Sequence, residues 1–170
     1  VVYNTGGYES AKTLKTLKDH IDIFMPDFKY WNSDTAGRYS KAPDYPEVVK
    51  MAIDEMVKMQ PRLVFNENGI LQKGVIVRIL LLPEHVYEAK RILQYVFEKY
   101  GDNVIISLMS QYTPMENMTA YPEINRKVRK KEYNSLVEHA NSLGVKNVYI
   151  QEGESADESF IPAFTLEGIE

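Results

Sequence analysis

The sequence predicts an α/β fold: about five mostly parallel strands with covering helices. β-rich runs alternate with amphipathic stretches about four times along the 170 residues. The run Gly74 to Leu82 is rich in Val, Ile and Leu without clean alternation, as in a strand buried on both faces. The stretches between runs are long enough for helical crossovers, which make neighbouring strands parallel and the connections right-handed. The sheet is therefore either open and doubly wound or part of a βα barrel.

Val1-Val2-Tyr3 reads as the end of a strand, closed by the turn Asn4-Thr5-Gly6-Gly7. Ser10 is an N-cap for a helix with Ala11, Leu14 and Leu17 on one face. Asp22 to Asp27 is the second strand. Pro26 cannot donate to a sheet ladder, so the strand should end there. A polar, aromatic loop is expected from Lys29 to Pro46. The face Val49, Ala52, Met56 and Met59 marks a helix from Glu47, stopped by Pro61. Leu63 to Lys73 suggests a short extra strand pair around Asn68-Gly69.

The third main strand runs from Gly74 to Leu82. Val86, Ala89, Leu93, Val96 and Tyr100 define the next helix, with Gly101 as its cap. Val104 to Met109 is the fourth strand, followed by a loop with Pro114 and Pro122. Tyr133, Leu136, Val137, Ala140 and Leu143 form the last helix, which ends at Gly144. Val145 to Gln151 is the fifth strand. An acidic tail covers 152–170, and Phe160, Ile161 and Phe164 are its expected packing residues. The length suits one domain over 1–170. Val1 already reads as strand rather than as a start, which suggests a piece of something longer.

Composition narrows the function. The net charge is -4, which argues against nucleic acid or an anionic membrane as partner. The longest apolar stretch, Ile79 to Leu82, is far short of the ~20 residues that cross a bilayer. A cytoplasmic location is expected. Zero cysteines exclude disulfides, thiolate metal sites and a Cys nucleophile from this chain. His20, His85 and His139 lack metal-ligand spacing and read as ordinary loop or helix-end histidines, so no metal site is expected. Arg126, Lys127, Arg129, Lys130 and Lys131 form a basic run that reads as a solvated helix start. Met51, Met56 and Met59 read as a core face.

In parallel α/β folds the site lies at the C-terminal strand ends. Those ends carry Asn4-Thr5-Gly6-Gly7, Asp27-Phe28-Lys29, Leu82 to His85, and Ser110-Gln111-Tyr112. Asp27 and Lys29 are two apart, so in an extended segment they point to the same side. An acid and a base there suit a zwitterion or a carboxylate-bearing ligand. The same pair also fits a plain loop salt bridge. Arg78 lies inside an apolar strand, and burying its charge demands a partner or a ligand. It also fits a strand-end arginine that snorkels to solvent.

Four segments at these strand ends resemble the radical S-adenosylmethionine family, nearest the branch related to pyruvate formate-lyase activating enzyme. They are Val2 to Tyr8, Asp22 to Lys29, Gly74 to Arg78 through Leu82-Pro83, and Ser107 to Pro114. The resemblance implies a partial (βα) barrel whose first strands, with the Cys-x3-Cys-x2-Cys loop that holds a [4Fe–4S] cluster, would lie upstream. S-adenosylmethionine would bind that cluster, and the whole protein would be an enzyme inactive as this piece alone.

Carried onto this chain, the cofactor-binding residues are Asn4, Thr5, Asp27, Lys29, Arg78, Gln111 and Tyr112, with no catalytic residue. Asp27 and Lys29 match a segment that contacts the methionine moiety, and Thr5 and Asp27 a monovalent cation site. Arg78 matches a pocket arginine, and Gln111-Tyr112 a Tyr-His near the nucleoside. Three departures stand out. Asn4 replaces an Asp, Tyr112 a His, and Arg78-Ile79 and Pro83-Glu84 stand where the branch has Arg-His and Pro-Gly. A glycyl-radical-type protein substrate is one implied partner. Loss of the upstream strands would leave the first strand an open edge and favour self-association. Two other readings stand beside this one. One is a non-catalytic α/β binding or scaffold module. The other is a hydrolase or isomerase using Asp27, Glu84 or His85.

Overall fold

The structure, a computed structural model, describes residues 1–115 and 118–151. The expected tail contacts of Phe160, Ile161 and Phe164 lie outside the described residues. The chain runs β1 (Val2–Thr5), α1 (Ala11–Thr16), β2 (Ile23–Pro26), α2 (Ser33–Ser40), α3 (Tyr45–Met59), β3 (Val64–Phe65), β4 (Leu71–Leu80), α4 (Val86–Tyr100), β5 (Ile105–Met109), α5 (Lys130–Leu143) and β6 (Val148–Gln151). Two short 3-10 turns, Met118–Ala120 and Pro122–Ile124, precede α5.

The sheet order is β1-β2-β4-β5-β6, and every one of these pairings is parallel. The short β3 pairs antiparallel with β4, across the expected turn with Gly69 in the left-handed region. Each crossover steps in the same direction. A doubly wound sheet would reverse its order partway, and among the described strands there is no reversal. Right-handed crossovers in one direction put every helix on the same face.

Burial follows that rule. Phe24, Phe28, Val75, Val77, Ile79, Leu108 and Val148 face the helices and are buried, each worth about 2 kcal/mol against exposure. Their alternates Ile23, Met25, Asp27, Ile76, Arg78, Leu80 and Tyr149 stay partly exposed, while Ile105 and Ser107 on the same face are buried. On β1, Val2 and Asn4 are exposed while Thr5 is buried. Among the described residues no helix lies on this second face, which is the more exposed of the two, and no strand pairs with the outer side of β1.

Caps close the helices where expected. Ser10 Oγ accepts the Thr13 N–H at 3.0 Å at the start of α1. Gly144, with φ +74, ends α5. Among the described residues no helix is long and apolar enough to cross a membrane.

Three expectations need correction. The stretch expected as loop between Lys29 and Pro46 contains α2, and α3 begins at Tyr45 rather than Glu47. Helix α2 buries only Ala36 among its own residues and contains Gly37, so it shows no apolar stripe. A carboxylate from another helix holds it. Glu88 of α4 accepts the Trp31 N–H at 2.9 Å, the Asn32 N–H at 3.1 Å and the Thr35 hydroxyl at 2.5 Å. The Asn32 N–H is one of the unsatisfied groups at the start of α2, and the Trp31 N–H and the Thr35 hydroxyl flank it. Met51 is 57% exposed and so leaves the core face that Met56 and Met59 share. The basic run is not all solvated. Arg126 binds both oxygens of Glu132 at 2.9 and 2.8 Å.

Candidate functional site

Parallel pairing brings the C-terminal ends of β1, β2, β4 and β5 to one rim, and the site residues follow from register. Beyond β2, Asp27 continues the ladder by an isolated bridge to Arg78. Its N–H donates to Thr5 O at 2.9 Å, and the Phe28 N–H donates to Arg78 O at 2.8 Å. Residues in register share a face of the sheet. Asp27 is level with Arg78, Arg78 with Ser107, and Ser107 with Tyr149. The open face therefore carries one polar row across four strands, set among Met25, Ile76, Leu80 and Met109.

The Arg78 guanidinium is the centre of the row. Nη2 lies 2.5 Å from Asp27 Oδ1 and 2.5 Å from Asn4 Oδ1. The Arg78 and Asp27 side chains are each 18% exposed. The charge expected to need a partner has one. Arg78 Nε is buried and has no hydrogen-bond partner among the described residues. Lys29 Nζ approaches Asp27 Oδ2 at 3.4 Å and is more open to solvent. Asp27 and Lys29 do point to the same side.

The remaining expected residues fall in different places. Thr5 is at the same rim but on the helix-covered side, where its hydroxyl donates to Glu9 at 2.5 Å and accepts the Gly7 N–H at 3.2 Å. Gln111 is exposed two residues past β5. Among the described residues no hydrogen bond or ion pair ties it to the cluster. Tyr112 packs against the core, and burial, then Tyr30, raises its hydroxyl pKa.

Three residues escape sequence reading. Tyr45 at the start of α3 underlies the cluster. Its hydroxyl lies 3.0 Å from Gly6 O and 2.9 Å from Asp27 O, and it accepts the Lys29 N–H at 3.1 Å. Burial raises its pKa far above the ordinary tyrosine value. This one phenol fixes the loops after β1 and β2 relative to each other. Gly7 makes room for them, with φ +81 and an added Cβ only 2.3 Å from Asp27 O. Ser107 and Tyr149 complete the polar row. Their signal is register between strands, which a lone sequence does not carry.

The arrangement offers a fixed guanidinium–carboxylate pair beside a movable ammonium. The pair supplies position, and Lys29 supplies a cation able to take an incoming carboxylate. Among the described residues no three His, Asp or Glu side chains gather in a way that could hold a metal ion.

No family model matches the chain, and no solved structure matches it. The chain is 27% identical over 149 residues to an uncharacterized protein of Methanocaldococcus jannaschii. The match covers 88% of this chain and 40% of that protein. The chain thus spans less than half the length of the curated relative it matches.

Proposed function

We propose that this chain is the C-terminal portion of a radical S-adenosylmethionine enzyme, supplying part of the cofactor and substrate pocket and inactive by itself. The polar row at the open rim carries the reading. Asp27, Arg78 and Lys29 face the side of the sheet that none of the described helices covers. In a βα barrel that side faces the barrel axis, and ligands bind at its C-terminal rim. The one-directional strand order fits a partial barrel. Glu84 adds local support: it is left-handed, with φ +66, at the position where the resembling branch has glycine.

The residues present fit the amino acid end of S-adenosylmethionine. Lys29 would hold its carboxylate, while Arg78 and Asn4 would keep the Asp27 carboxylate in place. When bound to a cluster, the cofactor supplies a hydrogen-abstracting radical. This chain's residues bind and orient, and with no cysteine they supply no thiolate to iron. A protein substrate of the glycyl-radical type fits an open rim.

The test is the longer coding sequence. The reading expects Cys-x3-Cys-x2-Cys upstream. It also expects an anaerobically reconstituted long protein that releases 5′-deoxyadenosine from S-adenosylmethionine, with Lys29→Ala raising the KM for that cofactor about tenfold. A long protein without the cysteine motif would end the proposal. A binding module is the second reading, and the Arg78–Asp27 pair favours it, because the charge is satisfied within the chain. Such a module would take ligand at Lys29 without any turnover.

A further inference from the structure

The β3–β4 hairpin lies at the N-terminal end of β4, the far end of that strand from Arg78, and the proposed pocket does not use it. Strand β3 is short and pairs with β4 alone, through Val64 with Lys73 and Phe65 with Leu71. From Val64 to Ile70 every residue is exposed. The turn between the strands reads Asn66-Glu67-Asn68-Gly69, and Asn68-Gly69 is the sole Asn-Gly step in the sequence.

The two asparagines of this turn are held differently. Asn66 Oδ1 accepts the Asn68 N–H at 3.0 Å and the Ile70 N–H at 2.9 Å, so its side chain is part of the turn. Among the described residues no hydrogen bond holds the Asn68 side chain. Gly69 follows it with φ +72, and nothing lies within 4 Å of where a Cβ would stand. Without a Cβ, the Gly69 backbone allows close approach of the preceding side chain. A carboxamide carbon, an unhindered backbone nitrogen and solvent therefore meet at one exposed point. The asparagines followed by serine, Asn32, Asn134 and Asn141, cap α2 or lie within α5, and serine carries a Cβ.

We propose that Asn68 is a self-modification site: the Gly69 nitrogen displaces its side-chain amide, and the isoaspartate that results releases β3 from β4. Once its proton leaves to solvent base, the Gly69 nitrogen attacks Asn68 Cγ. A five-membered imide closes and ammonia departs. Water then opens the imide to aspartate or isoaspartate. A water is consumed, an ammonia is released, and nothing is oxidised or reduced. One contact opposes the attack, because the Gly69 N–H donates to Asn66 O at 2.9 Å. The turn must open first, and the opening is local: it disturbs a short, exposed strand that few buried contacts restrain. In isoaspartate the main chain runs through the former side chain and is longer by a carbon. A new carboxylate also sits beside Glu67. The bonds from Asn66 N to Ile70 O and from Ile70 N to Asn66 Oδ1 lose their spacing. The Arg78–Asp27 pair, at the other end of β4, is left intact. The inference stands whether or not the chain belongs to a radical enzyme.

Incubating the whole chain in mildly alkaline buffer, then digesting it with trypsin, tests the site. Cleavage after Arg62 and Lys73 gives one peptide that holds both asparagines. Fragmentation should place the mass gain of amide to acid at Asn68 and not at Asn66, with aspartate and isoaspartate as separable forms. Gly69→Ala puts a Cβ beside the attacking nitrogen and should slow conversion severalfold. That change also strains a left-handed turn. Asn68→Gln keeps Gly69 and should abolish conversion, since the longer side chain must close a larger ring. In the aged chain the Asn66 and Ile70 amides should exchange faster than in the fresh one. The Ile106 amide, bonded to Asn147 O in the sheet, should not change. An unchanged peptide mass would overturn the site, as would conversion shared equally with Asn66 or undiminished in the variants. Equal exchange of the hairpin amides in the fresh and isoaspartate forms would overturn the release of β3.

Discussion

Arg78 Nη2 and Asp27 Oδ1 meet 2.5 Å apart across the ends of β4 and β2, on the face of the sheet that carries none of the described helices. Two mostly buried charges hold each other there, with Asn4 as the third partner. Breaking such a pair from one side leaves the other charge uncompensated. Asp27→Asn should therefore cost about 2 kcal/mol, discounted for the remaining exposure. Arg78→Met combined with Asp27→Asn should cost much less than the sum of the two single changes. A double-mutant cycle by urea denaturation measures the coupling. Additive single costs would mean the pair does not stabilise the rim.

Gly6 and Gly7 are neighbours with opposite expected tolerance. A Cβ on Gly7 would lie 2.3 Å from Asp27 O and 2.7 Å from Val49 Cγ2, at φ +81. Backbone and core must both shift, so Gly7→Ala should cost at least ~2 kcal/mol. A Cβ on Gly6 would meet only Lys29 Nζ, at 3.9 Å. Gly6→Ala should stay within about 0.5 kcal/mol of the parent. Thermal unfolding of the two variants side by side gives the comparison.

The strands were readable in the sequence because their signal is local. Runs of Val, Ile and Leu bounded by turn residues mark β4 and β5 without knowledge of their neighbours. Helix α2 was not readable, because its N-terminal donors are satisfied by Glu88, more than fifty residues away. Within the site, Asp27, Lys29 and Arg78 showed themselves as charges at or near strand ends. Ser107 and Tyr149 did not, since only register aligns them with Arg78. Tyr45 was hidden in a stretch read as loop, and its role depends on two carbonyls from separate strand ends.

Glu84 holds a left-handed backbone, φ +66, that glycine adopts without strain. Glu84→Gly relieves about 1 kcal/mol of strain and gives back part of it in unfolded-chain entropy. The lost contact with Arg126 is 3.6 Å long and solvent-exposed, so it contributes little. The Glu84 N–H bond to Glu132 is backbone and survives the change. A net gain of about 0.5 kcal/mol is expected, or about 1–2 °C in Tm for a chain of this size. Calorimetry would show it, and a lower Tm would mean the Arg126 contact outweighs the strain.

Stability should fall with acid in two stages, each with its own residue. Burial, then Lys90, lowers the His139 pKa below its ordinary 6.5. The unfolded chain then binds that proton more readily than the folded one, so stability declines as pH drops below about 6.5. His139→Gln should flatten this first stage. Glu88 and Glu132 are both held at about 2 against an ordinary 4.5. For Glu132 the Arg126 bond leads, opposed by burial and aided by the Arg129 and Glu84 N–H groups. Their stabilisation is complete above about 4.5 and disappears as pH falls toward 2. The nearly buried Glu88 contributes about 3 kcal/mol of this. Glu88→Gln should therefore weaken the protein at neutral pH and remove much of the second stage. Urea midpoints measured from pH 8 to pH 3 separate the two. A native curve that stays flat between pH 5 and pH 3 would show that the α2 cap is not the anion its four donors imply.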